Sequence, residues 1–188
     1  PYEPALRVFE VDHPNTQGWK REQLRAAAIA IPESLTFVPV NFEKESLDSA
    51  LRNTPTFDAT RPSFFSLLGV TPYLTKEAWL ETLAVVAGMA PGSGIAFDYG
   101  VPASSLKVWE QIGLEMLSAR VARIGEPFRL FLEPEEVSHL LGELGFTDIE
   151  DLGQEEINTL YFQNRDDGLR IAGAAGRILS ARVGKAST

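Results

Sequence analysis

Two acidic residues close the first apolar stretch of the chain. Glu10 lies near the end of the segment LRVFEV (6–11), and Asp12 follows it directly. Carboxylates are costly to bury unless a partner accepts them. An acid at the end of a strand, one helix before the next strand, is placed to accept both hydroxyls of a ribose. Asp12 is equally well explained as a charge favoured at the N-terminus of the following helix, so both interpretations stay open.

A second pair of candidates follows the next apolar stretch, LTFVPV (35–40). The side-chain amide of Asn41 can bond an adenine amino group, and the ring of Phe42 can stack on the base. In open α/β sheets, ligands lie just beyond the carboxyl ends of the strands. Together with Asp12, these two residues outline a nucleoside pocket. The alternative for Asn41 is a turn residue, a common place for asparagine.

Possible proton acceptors lie at the ends of the third and fourth apolar stretches. Tyr73 follows SFFSLLGV (63–70), and Asp98 and Tyr99 lie in SGIAFDYG (93–100). A hydroxyl that attacks an electrophile must lose its proton, and a carboxylate or a phenolate near it can accept that proton. Structural roles for Tyr73 and Asp98 are the alternative.

The elements that carry these residues alternate along the chain. Apolar runs typical of strands are separated by segments whose apolar residues recur with helical spacing, as in Leu80, Leu83, Ala84 and Ala87. This alternation predicts βαβ units and a mostly parallel sheet with helices on both faces, in one domain that spans 1–188. The predicted strands cover about 6–11, 35–40, 63–70, 93–100, 146–152 and 177–183. The third is apolar on both faces, which predicts burial on both sides.

Composition excludes several classes of function. The net charge is −9, with 26 acidic and 17 basic residues, and the basic residues form no cluster. A nucleic-acid partner is therefore not predicted. With no cysteine and only two widely separated histidines, the sequence predicts no metal site. No apolar run approaches membrane-spanning length, so the default expectation is a soluble, cytoplasmic protein without a membrane partner. The oligomeric state is not predicted.

Several segments, taken in order, resemble one known family. They are VFEVDHPNTQGWKREQL, FVPVNFEKESLDSAL, FFSLLGVTPYLTKEA, GSGIAFDY, GEPFRLFLEPEEV and YFQNRDDGLR. They are similar to the bacterial branch of the leucine carboxyl methyltransferase-like proteins, which depend on S-adenosylmethionine. The resemblance implies a Rossmann-like class I methyltransferase fold whose last strand is antiparallel.

The resemblance also implies roles for individual residues. The aspartate of the E-V-D-x-P motif, here Asp12, contacts the cofactor near its ribose, and Glu10 of the same motif is assigned to the cofactor site or to holding neighbouring strands. Asn41–Phe42 replaces an Asp–Leu pair that frames the adenine. The segment at about 101–132 is similar to the family's substrate cover, which assigns Trp109 and Glu126 to the acceptor.

The resemblance further implies that a first strand and a Gly-rich loop precede Pro1. In the family's strand order this strand is central, between the strands that end near Asp12 and Gly69. The expectation is therefore an N-terminally truncated methyltransferase domain with two unpaired strand edges.

The predicted function is transfer of a methyl group from S-adenosylmethionine to an oxygen of a small molecule or a carboxylate. The small-molecule acceptor is the expected partner, Tyr73, Asp98 and Tyr99 are the candidate bases, and Arg165 either pairs with an anionic acceptor or anchors its own loop. One alternative is a nicotinamide-dependent oxidoreductase, in which a strand-end acid also binds a ribose. The other is a non-catalytic binding or regulatory fragment.

Overall fold

Residues 6–42 and 44–184 are described by a computed structural model of the chain. They fall into two units, residues 1–58 and residues 59–188, which are described one at a time. The family resemblance implies a strand before Pro1, and Pro1 lies outside the described residues.

The first unit is built around two parallel strands, each followed by a helix. The register places Val8 opposite Leu35 and Asp12 opposite Pro39. Branched and aromatic side chains dominate both strands, as strand propensity requires. Its elements are β1 (Val8–Asp12), α1 (Pro14–Ala26), β2 (Leu35–Pro39) and α2 (Leu47–Arg52).

The proline at position 32 predicts that the helix after β1 ends near Ile31, but α1 ends at Ala26. Ala28 adopts a left-handed backbone conformation with φ 53°. The amide of Ile29 donates to the carbonyl of Leu24 at 2.9 Å, and the amide of Ala28 donates to that of Arg25 at 3.1 Å. These two bonds form a Schellman motif, which closes a helix by satisfying its last carbonyls. The motif therefore ends α1 before the chain reaches the proline at position 32.

The second unit contains a four-stranded sheet in the order β3-β4-β6-β5. Strand β6 runs antiparallel to both of its neighbours, and β3 is parallel to β4, so the predicted antiparallel last strand is present. Its elements are β3 (Phe64–Leu67), α3 (Lys76–Ala87), β4 (Gly94–Gly100), α4 (Val108–Arg123), α5 (Pro134–Glu143), β5 (Phe146–Leu152), α6 (Gln154–Ile157) and β6 (Gly176–Val183).

The core of the second unit packs α3 and α5 against alternating residues of β4. Trp79 of α3 is fully buried and meets the ring of Phe97 edge-on at 5.9 Å between centroids. Because side chains alternate across a strand, the residues that share this buried face are Ile95, Phe97 and Tyr99. Asp98 therefore points to the other face of β4.

Strands β1 and β3 are both edge strands. Within the part of the chain that the structure describes, β1 pairs with β2 alone and β3 pairs with β4 alone. Phe64 of β3 is 55% exposed. Exposed and partly buried residues alternate along β3. The prediction that the third strand is buried on both faces is therefore wrong, because one face of the strand is open to solvent.

Candidate functional site

Asp12 lies at the carboxyl end of β1 with one carboxylate oxygen bonded locally. Its Oδ1 accepts a hydrogen bond of 2.6 Å from the backbone amide of His13. No hydrogen bond reaches Oδ2 from any described residue. His13 caps α1, because its Nδ1 accepts from the amide of Asn15 at 3.2 Å. The helix therefore has its own cap, and Asp12 keeps an oxygen that can accept a hydrogen bond from a ligand.

Glu10, the other acid of the motif, is paired inside the first unit. Its Oε2 lies 2.5 Å from Nζ of Lys20. Beside it, the side-chain amide of Gln17 donates to the carbonyls of Glu10 at 2.6 Å and Val38 at 3.3 Å. Gln17 is only 3% exposed. This arrangement ties α1 to β1 and β2, so Glu10 fits the alternative in which it holds neighbouring elements.

Asn41 and Phe42 follow β2. The backbone carbonyl of Asn41 accepts from the amides of Lys44 at 2.8 Å and Glu45 at 3.0 Å, which forms a turn. Phe42 is 60% exposed. A large apolar ring left in solvent beside a strand end has surface available for stacking on a flat ligand. Both residues thus lie near the same strand ends as Asp12 within the first unit.

In the second unit, Asp98 connects the ends of β3 and β4. Its Oδ1 accepts from the backbone amide of Gly69 at 2.7 Å, and its Oδ2 receives no hydrogen bond from the described residues. Gly69 has φ 70°, a conformation that glycine adopts without strain. The hydrogen bond from the Gly69 amide orients the Asp98 carboxylate and leaves its Oδ2 able to accept a proton.

Tyr99, the neighbour of Asp98, belongs to a polar cluster that crosses the sheet. Its hydroxyl donates to Oδ2 of Asp151 at 2.7 Å, and Nε of Arg177 donates to Oδ1 of Asp151 at 2.9 Å. Burial and the bond to Asp151 raise the pKa of Tyr99 well above its ordinary value. A phenol that holds its proton this firmly is a poor base at neutral pH.

A cavity of about 480 Å³ lies between α4 and the segment that leads into β6, and we call it the α4 cavity. Its volume lies in the range of small-molecule sites, about 300–1,000 Å³. Asp98 and Trp109 both line it. Trp109 is 61% exposed, so part of its ring faces solvent. The structure therefore brings two predicted bases, Asp98 and Tyr99, and one predicted acceptor residue, Trp109, to the same cavity.

Glu110 holds one wall of this cavity. It is 8% exposed, and its Oε1 accepts from the backbone amide of Ala174 at 2.9 Å. Its Oε2 accepts from the amide of Lys107 at 3.0 Å, at the start of α4. A buried carboxylate that accepts two backbone amides satisfies donors that would otherwise be orphaned. Glu110 thereby joins α4 to the loop before β6.

The same loop is held from its other side by Asn158. Its side-chain oxygen accepts from the amide of Ile171 at 2.8 Å, and its side-chain nitrogen donates to the carbonyl of Ile171 at 2.9 Å. Gln154 donates to the same carbonyl at 3.1 Å. Asn158 begins a π-helical turn after α6, a kind of turn that is frequent at functional sites. The cavity wall is thus fixed from two elements.

Three predicted site residues do not line the α4 cavity. Tyr73 packs its ring 5.5 Å from that of Phe128. Glu126 lies exposed in the loop after α4. Arg165 pairs with Asp167, with Nε 2.9 Å from Oδ1, and this bond lowers the pKa of Asp167. The arginine therefore anchors its own loop, one of the two predicted alternatives.

The sequence pattern does not reveal the partners that position the site. Glu110, Asp151, Asn158 and Arg177 have no motif around them, and three of their bonds join residues 13, 26 and 64 positions apart. The one usable signal concerns Glu110. It lies three residues after the N-cap residue of α4, a position at which a glutamate commonly accepts a hydrogen bond from a backbone amide.

Within residues 6–42 and 44–184, no group of three or more His, Cys, Asp or Glu side chains could hold a metal ion. No helix in those ranges combines the length and the apolar character needed to cross a membrane.

Comparison with known proteins finds relatives over most of the chain. Residues 1–87 match the family model described as leucine carboxyl methyltransferase. YktD of Bacillus subtilis (strain 168), which its name places among the S-adenosyl-L-methionine-dependent methyltransferases, is 37% identical over 173 residues. That match covers 89% of this chain and 55% of YktD. A relative of the same description from Mycolicibacterium gilvum (strain PYR-GCK) is 33% identical over 53% of this chain and 32% of its own length. The chain thus spans about half or less of the curated relatives that it matches.

Solved structures share the fold at low identity. A Thermobifida fusca protein, named as a methyltransferase, matches 97% of this chain and 65% of its own with a TM-score of 0.66 at 18% identity. Human N-acetylserotonin methyltransferase in complex with SAM matches 97% of this chain and 42% of its own, with a TM-score of 0.53 at 17% identity. The predicted Rossmann-like α/β fold is confirmed.

Proposed function

We propose that this chain belongs to an S-adenosylmethionine-dependent methyltransferase that methylates an oxygen of a small molecule. Residues 1–87 match the family model described as leucine carboxyl methyltransferase, in agreement with the resemblance of the sequence. The observation that carries the proposal is the open Oδ2 of Asp12 at the end of β1. It lies in the segment that matches the family model. The chain spans 55% of YktD, so the activity of the whole protein is itself part of the proposal.

The donor and acceptor chemistry of the first unit fits the nucleoside half of this cofactor. Oδ2 of Asp12 would accept the hydroxyls of the ribose, and the exposed ring of Phe42 would stack on the adenine. Asn41 would line the same end of the strands. When bound, S-adenosylmethionine supplies an electrophilic methyl group on a sulfonium sulfur.

The second unit would bind the acceptor in the α4 cavity. Trp109 would pack against it, and Oδ2 of Asp98 would take the proton that a hydroxyl acceptor releases. Tyr99 is the weaker candidate base because its pKa is raised. Tyr73 remains an alternative base, and roles for Glu126 and Arg165 in binding the acceptor remain predictions.

The segment 101–132 would act as the cover of the acceptor site. Helix α4 supplies one wall of the α4 cavity, and the loop that contains Glu126 follows it. The cytoplasmic location and the absence of nucleic-acid and membrane partners remain predictions from the sequence.

Calorimetric titration of this chain with S-adenosylhomocysteine tests the cofactor assignment. We expect saturable binding, and we expect Asp12→Asn to weaken it at least about tenfold, because the variant loses a charged hydrogen-bond acceptor. Asp48→Asn is the matched control. It removes an acid from α2 whose partner is the exposed side chain of Arg52, and such surface pairs contribute little.

Three results would contradict the proposal. Equal binding by the wild-type chain and Asp12→Asn would remove Asp12 from the site. No binding of S-adenosylhomocysteine by the wild-type chain would favour the non-catalytic alternative. Binding of NADH in its place would favour the oxidoreductase.

A further inference from the structure

The charges that surround the α4 cavity select between two classes of acceptor. We propose that the cavity takes an apolar acceptor whose reacting group is an uncharged hydroxyl, and that it disfavours a carboxylate. The inference rests on the proposed function, since it names the substrate class of the same site. It also departs from the carboxyl acceptor in the name of the related family.

The ionisable residues that line the cavity carry more negative than positive charge. They are Asp98, Glu110 and Arg177, together with Tyr99, whose phenol is neutral. Both oxygens of Glu110 accept backbone amides, whereas Asp98 has one oxygen that no described residue bonds. A second carboxylate brought beside Asp98 would meet a like charge in a site partly shielded from water, where repulsion is stronger than in bulk solvent.

Arg177 does not offset this charge, because Asp151 already neutralises it. Nε of Arg177 donates to Oδ1 of Asp151 at 2.9 Å, and Nη2 donates to the backbone carbonyl of Asp151 at 3.2 Å. The Asp151 carboxylate also accepts the hydroxyl of Tyr99. Among the described residues that line the cavity, no other side chain is cationic. An anionic acceptor therefore lacks the unpaired cation that its binding requires.

The rest of the lining favours an apolar body. Burying apolar surface there is favourable for a ligand of matching shape, and the rim ring of Trp109 suits a flat or aromatic group. The large apolar residues around the cavity are Trp109, Leu114, Leu117, Ile157, Ile171 and Ile178.

A hydroxyl satisfies the open carboxylate oxygen of Asp98 in the cavity. The hydroxyl hydrogen of the acceptor can donate to Oδ2 of Asp98, whose other oxygen is held by the amide of Gly69. On methylation the acceptor oxygen would form a bond to the methyl carbon as the bond from that carbon to the sulfonium sulfur breaks, and S-adenosylhomocysteine would leave. The proton of the hydroxyl would pass to Oδ2 of Asp98. A carboxylate acceptor brings no such hydrogen and releases no proton. Asp98 would then have neither a bond to make nor a proton to accept.

NMR titration of the 188-residue chain with two matched probes tests the proposal. The probes are 2-naphthol and 2-naphthoate, which share a ring system and at pH 7 differ in charge. We expect 2-naphthol to bind at least about tenfold more tightly than 2-naphthoate, with shifts concentrated at the isoleucines and leucines of the α4 cavity. Equal or tighter binding of 2-naphthoate, or binding of neither probe in the cavity, would overturn it.

Substitutions then identify the source of the preference. Asp98→Asn is expected to cut the naphthol-to-naphthoate ratio several-fold, since it removes the repelling charge. Glu115→Gln is the matched control, because Glu115 lies on α4 but lines a different cavity of about 390 Å³. A loss of preference in Glu115→Gln alone would overturn the assignment to Asp98. If Asp98→Asn does not fold, the ratio in the wild-type chain decides.

A third probe and one separate titration complete the design. Tighter binding of 2-naphthylamine than of 2-naphthol would identify an amine acceptor and reject the hydroxyl. The titration with S-adenosylhomocysteine is read independently. Its success together with a preference for 2-naphthoate would reject this inference alone, whereas its failure would reject the proposed function.

Discussion

The hydroxyl of Tyr99 on β4 donates a 2.7 Å hydrogen bond to the carboxylate of Asp151 on β5, across the intervening strand β6. Arg177 of β6 holds the other oxygen of that carboxylate. The cluster therefore joins three strands at the end of the sheet that borders the α4 cavity. Its Asp151 carboxylate also neutralises the charge of Arg177.

Tyr99→Phe is expected to lower the free energy of unfolding by about 1–2 kcal/mol, because it removes one hydrogen bond to a carboxylate that stays partly buried. Urea denaturation at neutral pH measures the change. Tyr73→Phe serves as the control, since its hydroxyl makes no hydrogen bond within the described residues, and it should change stability by less than about 0.5 kcal/mol. Similar losses in the two variants would argue against a special role for the Tyr99–Asp151 bond.

Alkaline pH should reveal the raised pKa of Tyr99. Burial and the bond to Asp151 favour the neutral phenol in the folded protein, so the unfolded chain loses this proton first. The stabilising contribution is complete below the ordinary tyrosine pKa of about 10 and falls as the pH rises above it. Urea denaturation of the wild-type chain and Tyr99→Phe between about pH 8 and 11 should therefore give converging stabilities. Curves that stay parallel would contradict the prediction.

Ala28→Gly should stabilise the first unit. Ala28 closes α1 in a left-handed conformation, φ 53°, which strains a residue with a Cβ atom. Relief of that strain, less the added entropy of the unfolded chain, should raise the free energy of unfolding by about 0.5–1 kcal/mol. Ala27→Gly is the matched control, because Ala27 has φ −83° and no strain to relieve. This variant should lower the free energy of unfolding by about 0.5–1 kcal/mol. Thermal or urea unfolding distinguishes the two signs.

Glu110→Ala should loosen the wall of the α4 cavity. The substitution leaves the amides of Ala174 and Lys107 without their acceptor, so we expect a loss of about 2–3 kcal/mol. Faster hydrogen exchange at the Ala174 amide is the local readout. Glu115→Ala, an exposed change on the same helix, should leave exchange at Ala174 unchanged. Equal exchange rates in the two variants would mean that Glu110 does not hold the loop.

Much of the architecture was predictable because its causes are local. The alternation of apolar stretches and helical spacing predicted the strands β1, β2, β4, β5 and β6. Strand-end acids could also be found, since the carboxyl ends of strands are where α/β proteins bind ligands. The end of α1 was missed because a backbone conformation at Ala28, an ordinary helix-forming residue, terminates it.

The sequence by itself determined which residues have the chemistry for a site: Asp12 and Asp98 at strand ends, and Trp109 on α4. Only the tertiary structure decided which of them remain available. Glu10 is paired with Lys20, Arg165 with Asp167, and Arg177 with Asp151. The physical reason is that a charge is available to a ligand only if the fold has not already neutralised it. Pairs such as Glu110 with Ala174, 64 positions apart, form through folding contacts that no local pattern encodes.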